Sequence, residues 1–173
     1  RDLHSFPTRR SSDLGEQSIE EAVGALLLQR GATLATAESC TGGNIARRIT
    51  AIPGCSAYFQ GSAVVYSNAL KMRLLGVKAD TLDQFGAVSE ETVREMAQGV
   101  LEHLGVDYAV ATSGIAGPDG GRPDKPVGTI WVAVASATEV RTRRLQLGND
   151  RHRNIELTTS TALNMLRLML IGE

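Results

Sequence analysis

The sequence predicts an α/β protein, a three-layer α/β/α sandwich around a mixed, mostly parallel sheet. Two near-continuous apolar runs, residues 106–112 and 129–135, are typical of strands that are covered on both faces. Amphipathic helical patterns lie before and after these runs, most clearly from Ser89 onward. Because strands and helices alternate along the chain, we expect helices on both sides of one sheet.

The N-terminal part contains a helix, a strand and a second helix. Apolar residues at helical spacing begin at Ile19, and Gly31 ends that helix. Residues 33–37 (TLATA) form a short predicted strand. The small residues 41–43 then open a helix that runs to about Thr50.

The middle of the chain holds a β-rich run, residues 58–67, followed by two helices. Asn68 is a favourable N-cap for a short helix that ends near Gly76. Ser89, followed by two glutamates, caps the clearest helix, whose apolar residues recur at intervals of three and four through Leu104.

Four further elements complete the prediction. The apolar runs 106–112 and 129–135 are the buried strands, and residues 139–147 alternate in polarity and carry three arginines, which indicates an edge strand. The last helix runs from about Arg151 to Leu170.

Composition restricts the class of protein. With 173 residues and 42% hydrophobic side chains, the chain can form one ordered domain. Its 18 basic and 19 acidic residues give a net charge of −1, so there is no general electrostatic reason to bind nucleic acid or an anionic membrane. No apolar run approaches a membrane span. Two cysteines make no disulfide framework, and we expect a cytoplasmic protein.

Residues 1–14 (RDLHSFPTRRSSDL) are polar and lack both helical and strand periodicity. They also lack the apolar centre of a signal peptide. Residues 2–14 resemble the translation of a common sequencing-library adapter. We therefore expect residues 1–14 to be a disordered, non-native leader and residues 15–173 to be the functional domain.

The first candidate site is residues 38–43 (ESCTGG), which follow the first strand. Backbone N–H groups in a turn that opens a helix can hold an anion or a developing oxyanion. An ordinary N-cap is the commoner explanation of such spacing, although the paired glycines favour a functional turn. Cys40 is a second candidate nucleophile, since a helix N-terminus lowers a thiol pKa. A small buried hydrophobic role is the commoner one for a cysteine.

The second candidate is Lys71, in the segment YSNALK. If Asn68 is the N-cap, Lys71 is the third residue of the helix, where the helix dipole disfavours a cation. A partly buried lysine there would have a lowered pKa and could act as a general base. Most lysines are instead solvated surface residues, and this pattern alone does not distinguish the two.

The third candidate is the loop at residues 113–128, which holds five of the 18 glycines and three of the five prolines. Its glycine-rich backbone beside Arg122 and Lys125 could surround a phosphate, or the loop could be a flexible lid. It contains no Walker sequence.

Other common sites are not indicated. The sequence has no H-E-x-x-H, C-x-x-C or EF-hand pattern, so neither a metal site nor a cofactor is expected. His103 and His152 do not follow predicted strands, which argues against a Ser-His-Asp triad. A lysine is then the better candidate base for a serine nucleophile.

Several long segments together resemble the C-terminal domain of the competence-damage-inducible CinA family, the nicotinamide-nucleotide amidases. The resemblance covers about Ser18 to Leu170 and rests on these segments: TLATAESCTGGNIARRIT, IPGCSAYFQGSAVVYSNALKMRLLGV, FGAVSEETVREMA, ATSGIAGPDGGRPDKPVGTIWVAVA, GNDRHRNIE and ALNMLR. Long motifs in one order are far more specific than any single short pattern. The resemblance implies a CinA-like fold.

The resemblance also implies an activity, the hydrolysis of nicotinamide mononucleotide to nicotinate mononucleotide and ammonia in pyridine nucleotide recycling. It implies Ser39, Tyr66 and Lys71 as the catalytic group, with Ser39 as nucleophile and Lys71 as base, assisted by Tyr66. The residues expected to bind substrate are Cys40, Thr41, Gly42, Gly43, Thr112, Ser113, Gly114 and Arg122. Arg151 and Arg153 are alternatives to Arg122 for the phosphate.

The resemblance leaves further expectations. Many relatives carry an additional N-terminal domain resembling molybdopterin-binding proteins, and the parent of this chain is expected to have had one. A homo-oligomer is expected for so small a domain. The alternative function is a non-hydrolytic nucleotide-binding or interaction module linked to competence or the DNA damage response.

Overall fold

A five-stranded sheet between two layers of helices forms the centre of the computed structural model, which describes residues 17–173. In chain order the elements are α1 (Ile19–Arg30), β1 (Leu34–Glu38), α2 (Asn44–Thr50), β2 (Phe59–Val64), α3 (Asn68–Leu75), α4 (Ala79–Phe85), α5 (Glu90–Leu104), β3 (Tyr108–Gly114), β4 (Thr129–Ser136), β5 (Val140–Gln146) and α6 (Arg151–Ile171). The predicted three-layer fold is confirmed. The predicted leader, residues 1–14, lies outside the described residues.

The strands lie side by side in the order β2–β1–β3–β4–β5. β1 pairs in parallel with β2 and β3, whereas β4 is antiparallel to β3 and β5. Within the described sheet, β4 alone runs in the opposite direction, so the sheet is mixed and mostly parallel, as predicted. The carboxyl ends of β1, β2 and β3 therefore meet at one edge, where ligands collect in folds of this kind.

The two faces of the sheet differ in side-chain size. The sheet face that packs against α5 is lined by alanine side chains, all fully buried: Ala35, Ala37, Ala109, Ala111, Ala133 and Ala135. The opposite face carries larger side chains, including Leu34, Val110, Ile130, Val132 and Val134, which pack with α1, α2 and α6. Small residues on one face let α5 lie close to the sheet.

Two predicted strands begin slightly later than expected, at Leu34 and Tyr108 rather than at Thr33 and Val106. At this end of the sheet a side chain provides a hydrogen-bond partner for the backbone, because Asp107 Oδ2 accepts from the Thr33 N–H at 2.8 Å. β1 also ends one residue later than predicted, so that Glu38 is its last residue.

The helices agree with the sequence pattern except for the N-cap of α3, described below, and in two other respects. Ser89 caps α5 as predicted, accepting from the Thr92 N–H at 3.2 Å. Leu104, assigned to the apolar stripe of α5, is 46% exposed, and α4 was not predicted. Among the helices of residues 17–173, none has the combination of length and apolar character needed to cross a membrane.

Candidate active site

Ser39 and Lys71 lie in contact at the carboxyl edge of the sheet. Lys71 Nζ is 3.0 Å from Ser39 Oγ, 3.0 Å from the Val65 carbonyl oxygen and 3.2 Å from that of Tyr66. A neutral amine can donate its two N–H groups to the two carbonyls. Its lone pair is then left for the proton of the Ser39 hydroxyl, which is the geometry of a serine with its general base.

Burial is the reason that Lys71 can be such a base. It is 1% exposed, and this burial lowers its pKa from the ordinary lysine value, while the nearby Cys40 acts in the opposite direction. None of the ion pairs among the described residues includes Lys71. The neutral amine is therefore favoured more than in an exposed lysine.

The predicted N-cap of α3 was wrong by one residue. Ser67, not Asn68, is the N-cap, since its backbone is extended and its hydroxyl accepts from the Leu70 N–H at 3.2 Å. Lys71 is thus the fourth residue of the helix, and burial is the first cause of its lowered pKa.

Residues 39–43 form a tight turn between β1 and α2. Gly42 and Gly43 have φ values of 59° and 94°, which other residues rarely adopt, and this explains the paired glycines. The Ser39 N–H donates to the Thr112 carbonyl at 3.0 Å. Among the hydrogen bonds of the described residues, none is donated by the N–H groups of Cys40, Thr41 or Gly43.

Cys40 does not have the environment of a nucleophile. Its thiol is buried with the core beneath the sheet. Burial raises its pKa to about 12, the opposite of the lowering expected from a helix N-terminus. The buried hydrophobic alternative describes this side chain.

Glu38 is a site residue that the sequence pattern indicated only weakly, as an acid at the end of a predicted buried strand. It is fully buried. Its Oε1 accepts from the Thr41 hydroxyl at 2.7 Å and from the Ile45 N–H at 2.9 Å, and its Oε2 accepts from the Ala46 N–H at 3.0 Å. It therefore satisfies the first turn of α2, where a negative charge is stabilised.

The three residues expected at the end of β3 differ in role, and Thr112 is the one with a hydrogen bond to this turn among the described residues. Thr112 Oγ1 is 2.8 Å from Thr41 Oγ1, which joins β3 to the turn. The Ser113 hydroxyl donates to the Ala87 carbonyl at 2.7 Å. At Gly114 a Cβ would lie 2.5 Å from the Ile130 side chain, so this glycine allows β3 and β4 to approach.

Tyr66 contacts Lys71 through its backbone and Arg151 through its side chain. The Arg151 guanidinium donates to the Tyr66 hydroxyl at 2.7 Å and to the Gly117 carbonyl at 2.8 Å. Among the described residues, no hydrogen bond joins the Tyr66 hydroxyl to Ser39 or Lys71. Arg151 thus holds together the segment after β2, the 115–128 loop and the start of α6.

Among the described residues, no hydrogen bond joins Arg122 to the other residues predicted to be catalytic or to bind substrate. Arg122 lies in a turn where its N–H donates to the Lys125 carbonyl at 2.8 Å, and its guanidinium is 3.9 Å from Asp124. Arg153 lines a separate cavity of about 290 Å³. Arg151 is the one of the three that contacts a predicted catalytic residue.

A cavity of about 350 Å³ adjoins the turn, between α2 and α6. Its lining comprises Thr41, Gly42, Gly43, Asn44, Arg47, His152, Ile155 and Glu156. Three of these were predicted to bind substrate, whereas Arg47 and His152 were not, because neither follows a strand. Within residues 17–173, no group of three or more His, Cys, Asp or Glu side chains is arranged to hold a metal ion.

Fold and site together define an α/β domain with a buried serine–lysine pair at the carboxyl edge of its sheet. The model of the CinA C-terminal domain family matches residues 16–170. The chain belongs to this family.

Curated relatives agree with this assignment. A CinA-like protein from Cytophaga hutchinsonii is 50% identical over 153 residues, which are 88% of this chain and 37% of the relative. One from Chloroherpeton thalassium is 48% identical over 159 residues, 90% of this chain and 38% of the relative. The chain thus spans less than two fifths of the length of these relatives.

Solved structures have the same fold. The competence/damage inducible protein CihA from Agrobacterium tumefaciens is 38% identical with a TM-score of 0.83, covering 97% of this chain and 99% of that one. A CinA superfamily protein from Klebsiella pneumoniae is 36% identical with a TM-score of 0.85, covering 91% and 100%.

Proposed function

We propose that this domain is an amidase that hydrolyses nicotinamide mononucleotide to nicotinate mononucleotide and ammonia. The observation that carries the proposal is the 3.0 Å contact between Ser39 Oγ and a buried Lys71 amine whose pKa is lowered. The choice of substrate comes from the family resemblance, and the chemistry comes from these two residues.

The proposed reaction has two stages. Lys71 takes the proton of Ser39 as Oγ bonds to the amide carbon, and the negative oxygen is stabilised by N–H groups of the turn at residues 40–43. The carbon–nitrogen bond then breaks, and ammonia leaves with the proton from Lys71. In the second stage Lys71 takes a proton from water, which attacks the ester carbon. The bond between that carbon and Ser39 Oγ then breaks, Oγ receives the proton from Lys71, and the product leaves as the acid, which ionises to the carboxylate.

Tyr66 has a smaller part in this mechanism than the sequence suggested. A relay through its hydroxyl is unnecessary because Ser39 and Lys71 are in direct contact. Its carbonyl orients the Lys71 amine at 3.2 Å, and its exposed ring, held by Arg151, is available to substrate. We place the substrate phosphate near Arg151 rather than Arg122.

The test is ammonia release from nicotinamide mononucleotide by the 173-residue chain. Ser39→Ala and Lys71→Met should each remove turnover, whereas the matched exposed variants Ser56→Ala and Lys78→Met should retain it. Turnover that survives Ser39→Ala would refute the mechanism. Saturable nucleotide binding without turnover would instead favour the non-hydrolytic binding module.

Other proposals concern the setting of the domain. A cytoplasmic location agrees with two free cysteines. Its relatives are longer than this chain, and we propose that a domain resembling molybdopterin-binding proteins precedes it in the parent protein. A homo-oligomer stays a prediction.

A further inference from the structure

Glu38 is a buried carboxylate next to the proposed nucleophile, and the proposed mechanism does not use it. Taking a carboxylate out of water is unfavourable unless hydrogen-bond donors compensate for the lost hydration. None of the ion pairs among the described residues includes Glu38, so donors alone must satisfy it. Their identity indicates what the carboxylate does.

Hydrogen bonds to Glu38, and one further bond to Thr41, connect three parts of the site: the first turn of α2, the turn at residues 39–43 and the end of β3. Both carboxylate oxygens accept N–H groups from the first turn of α2, those of Ile45 and Ala46. Oε1 also takes the single proton of the Thr41 hydroxyl, at 2.7 Å. In the 2.8 Å contact between Thr41 and Thr112, the donor must therefore be Thr112. A directed chain from Thr112 through Thr41 to Glu38 ties the end of β3 to the turn.

The hydrogen bonds around Glu38 also determine which backbone N–H groups remain for substrate. The first N–H groups of α2 are already occupied, by Glu38 and, for Asn44, by the Thr41 carbonyl at 3.0 Å. The remaining donors are those of the turn itself, at Cys40, Thr41 and Gly43. Their position depends on how Glu38 holds the two ends of the turn.

We propose that Glu38 is a positioning residue that holds residues 39–43 in the conformation in which Ser39 meets Lys71 and the free N–H groups form the oxyanion site. This inference rests on the proposed amidase function. Glu38 has no hydrogen bond to Ser39 Oγ or Lys71. Because an oxyanion exists only during the reaction, a displaced turn lowers kcat and leaves KM nearly unchanged.

The test compares Glu38→Gln with Glu95→Gln. Glu95, on α5, likewise accepts a backbone N–H, from Lys78 at 2.8 Å, and a hydroxyl, from Thr81 at 2.6 Å. Glu95 is half-buried, and its variant therefore controls for the loss of a carboxylate acceptor at a place in the fold away from the site. In Glu38→Gln one carboxylate oxygen becomes an NH₂ group that faces a donor. Displacing the turn by about 1 Å should lower kcat roughly 100-fold with KM within about twofold.

A second measurement does not depend on the substrate. A fluorophosphonate labels an activated serine, because Oγ bonds to phosphorus, fluoride leaves and Lys71 receives the proton. Intact-protein mass spectrometry gives the labelling rate of Ser39, which Glu38→Gln should lower and Glu95→Gln should not. If Glu38→Gln does not fold by circular dichroism, Thr41→Val removes one link of the chain and should lower kcat about 10-fold.

The outcomes separate the two proposals. Wild-type kcat in a folded Glu38→Gln variant, or a raised KM at unchanged kcat, overturns the positioning role and leaves the amidase standing. If wild-type protein releases no ammonia but is labelled at Ser39, the substrate is wrong and the relative labelling rates decide the role of Glu38. If neither reaction occurs, there is no activated serine and both proposals fail.

Discussion

Lys71 illustrates how one side chain can serve reactivity at the expense of stability. Its amine is buried with two carbonyl oxygens and one hydroxyl as its hydrogen-bond partners. An ammonium in this place is penalised by lost hydration, which is what lowers the pKa. The same penalty must be visible in the free energy of unfolding.

We expect the stability of the wild-type chain, relative to Lys71→Met, to increase as the pH rises. The unfolded lysine has a pKa of about 10.4 and the folded one lies below it. Between the two values the unfolded state binds more protons, so raising the pH favours the folded state. Urea unfolding at several pH values from about 7 to about 10 measures this.

The control for this experiment is Lys78→Met, at an exposed position on the surface. Its stability relative to the wild type should not follow the trend of Lys71→Met. A difference between wild type and Lys71→Met that is constant with pH would contradict burial as the cause.

For single residues, the sequence predicted which side chains could react better than it predicted which of them lie in contact. Residue types at strand ends pointed to Ser39 and Lys71, but they are 32 positions apart, and no local pattern specifies their contact. Glu38 was not distinguished because a glutamate that ends a strand resembles an exposed terminus. Only the turn through Gly42 and Gly43 brings α2 back onto it.

Among the elements, α3 and α5 show how a helix is placed by its neighbour. Gly99 lies within α5, and a Cβ there would be 2.0 Å from the Leu75 carbonyl oxygen of α3. The two helices therefore touch through backbone. Since α3 carries Lys71, this contact also locates the proposed base.

Gly99→Ala should destabilise the fold, although alanine normally stabilises the interior of a helix by about 1 kcal/mol over glycine. The overlap with α3 should cost about 1–3 kcal/mol, with a loss of turnover as Lys71 moves. Thermal unfolding measures the change. The neighbouring exposed variant Gln98→Ala is the control, and equal melting temperatures for the two would contradict the close contact.

Strong periodicity predicted the long elements well, and weak periodicity did not. The apolar spacing of α5 and the continuous apolar runs of β3 and β4 specified both type and approximate place. The seven-residue α4 was missed because its sequence, ADTLDQF, contains little apolar repetition and its N-cap, Lys78, makes no side-chain bond. The Asn68 error arose because serine and asparagine are both good N-caps and stand side by side.

For the whole molecule, charge bears on the choice between an enzyme and a module acting on DNA. A net charge of −1 gives no surplus of cations to displace counterions from a duplex. The arginines of β5 lie on an edge strand, where Arg141 pairs with Glu139.

We expect no saturable binding of a fluorescently labelled DNA duplex in anisotropy titrations, even at low salt. An oligonucleotide-binding protein of strongly basic charge provides the positive control. Saturable binding whose affinity falls steeply with salt would contradict this expectation and support the interaction module.

The bond between Arg151 and Tyr66 joins residues 85 positions apart, and the last helix supplies one of its partners. During synthesis on a ribosome, Ser39 and Lys71 emerge long before that helix does. Until α6 is made, the sheet face opposite α5 is covered only by α1 and α2, and the site lacks the wall that α6 supplies. A message cut short before this helix would therefore yield a chain with Ser39 and Lys71 but without a finished site, so that completed translation is itself a condition for the proposed activity.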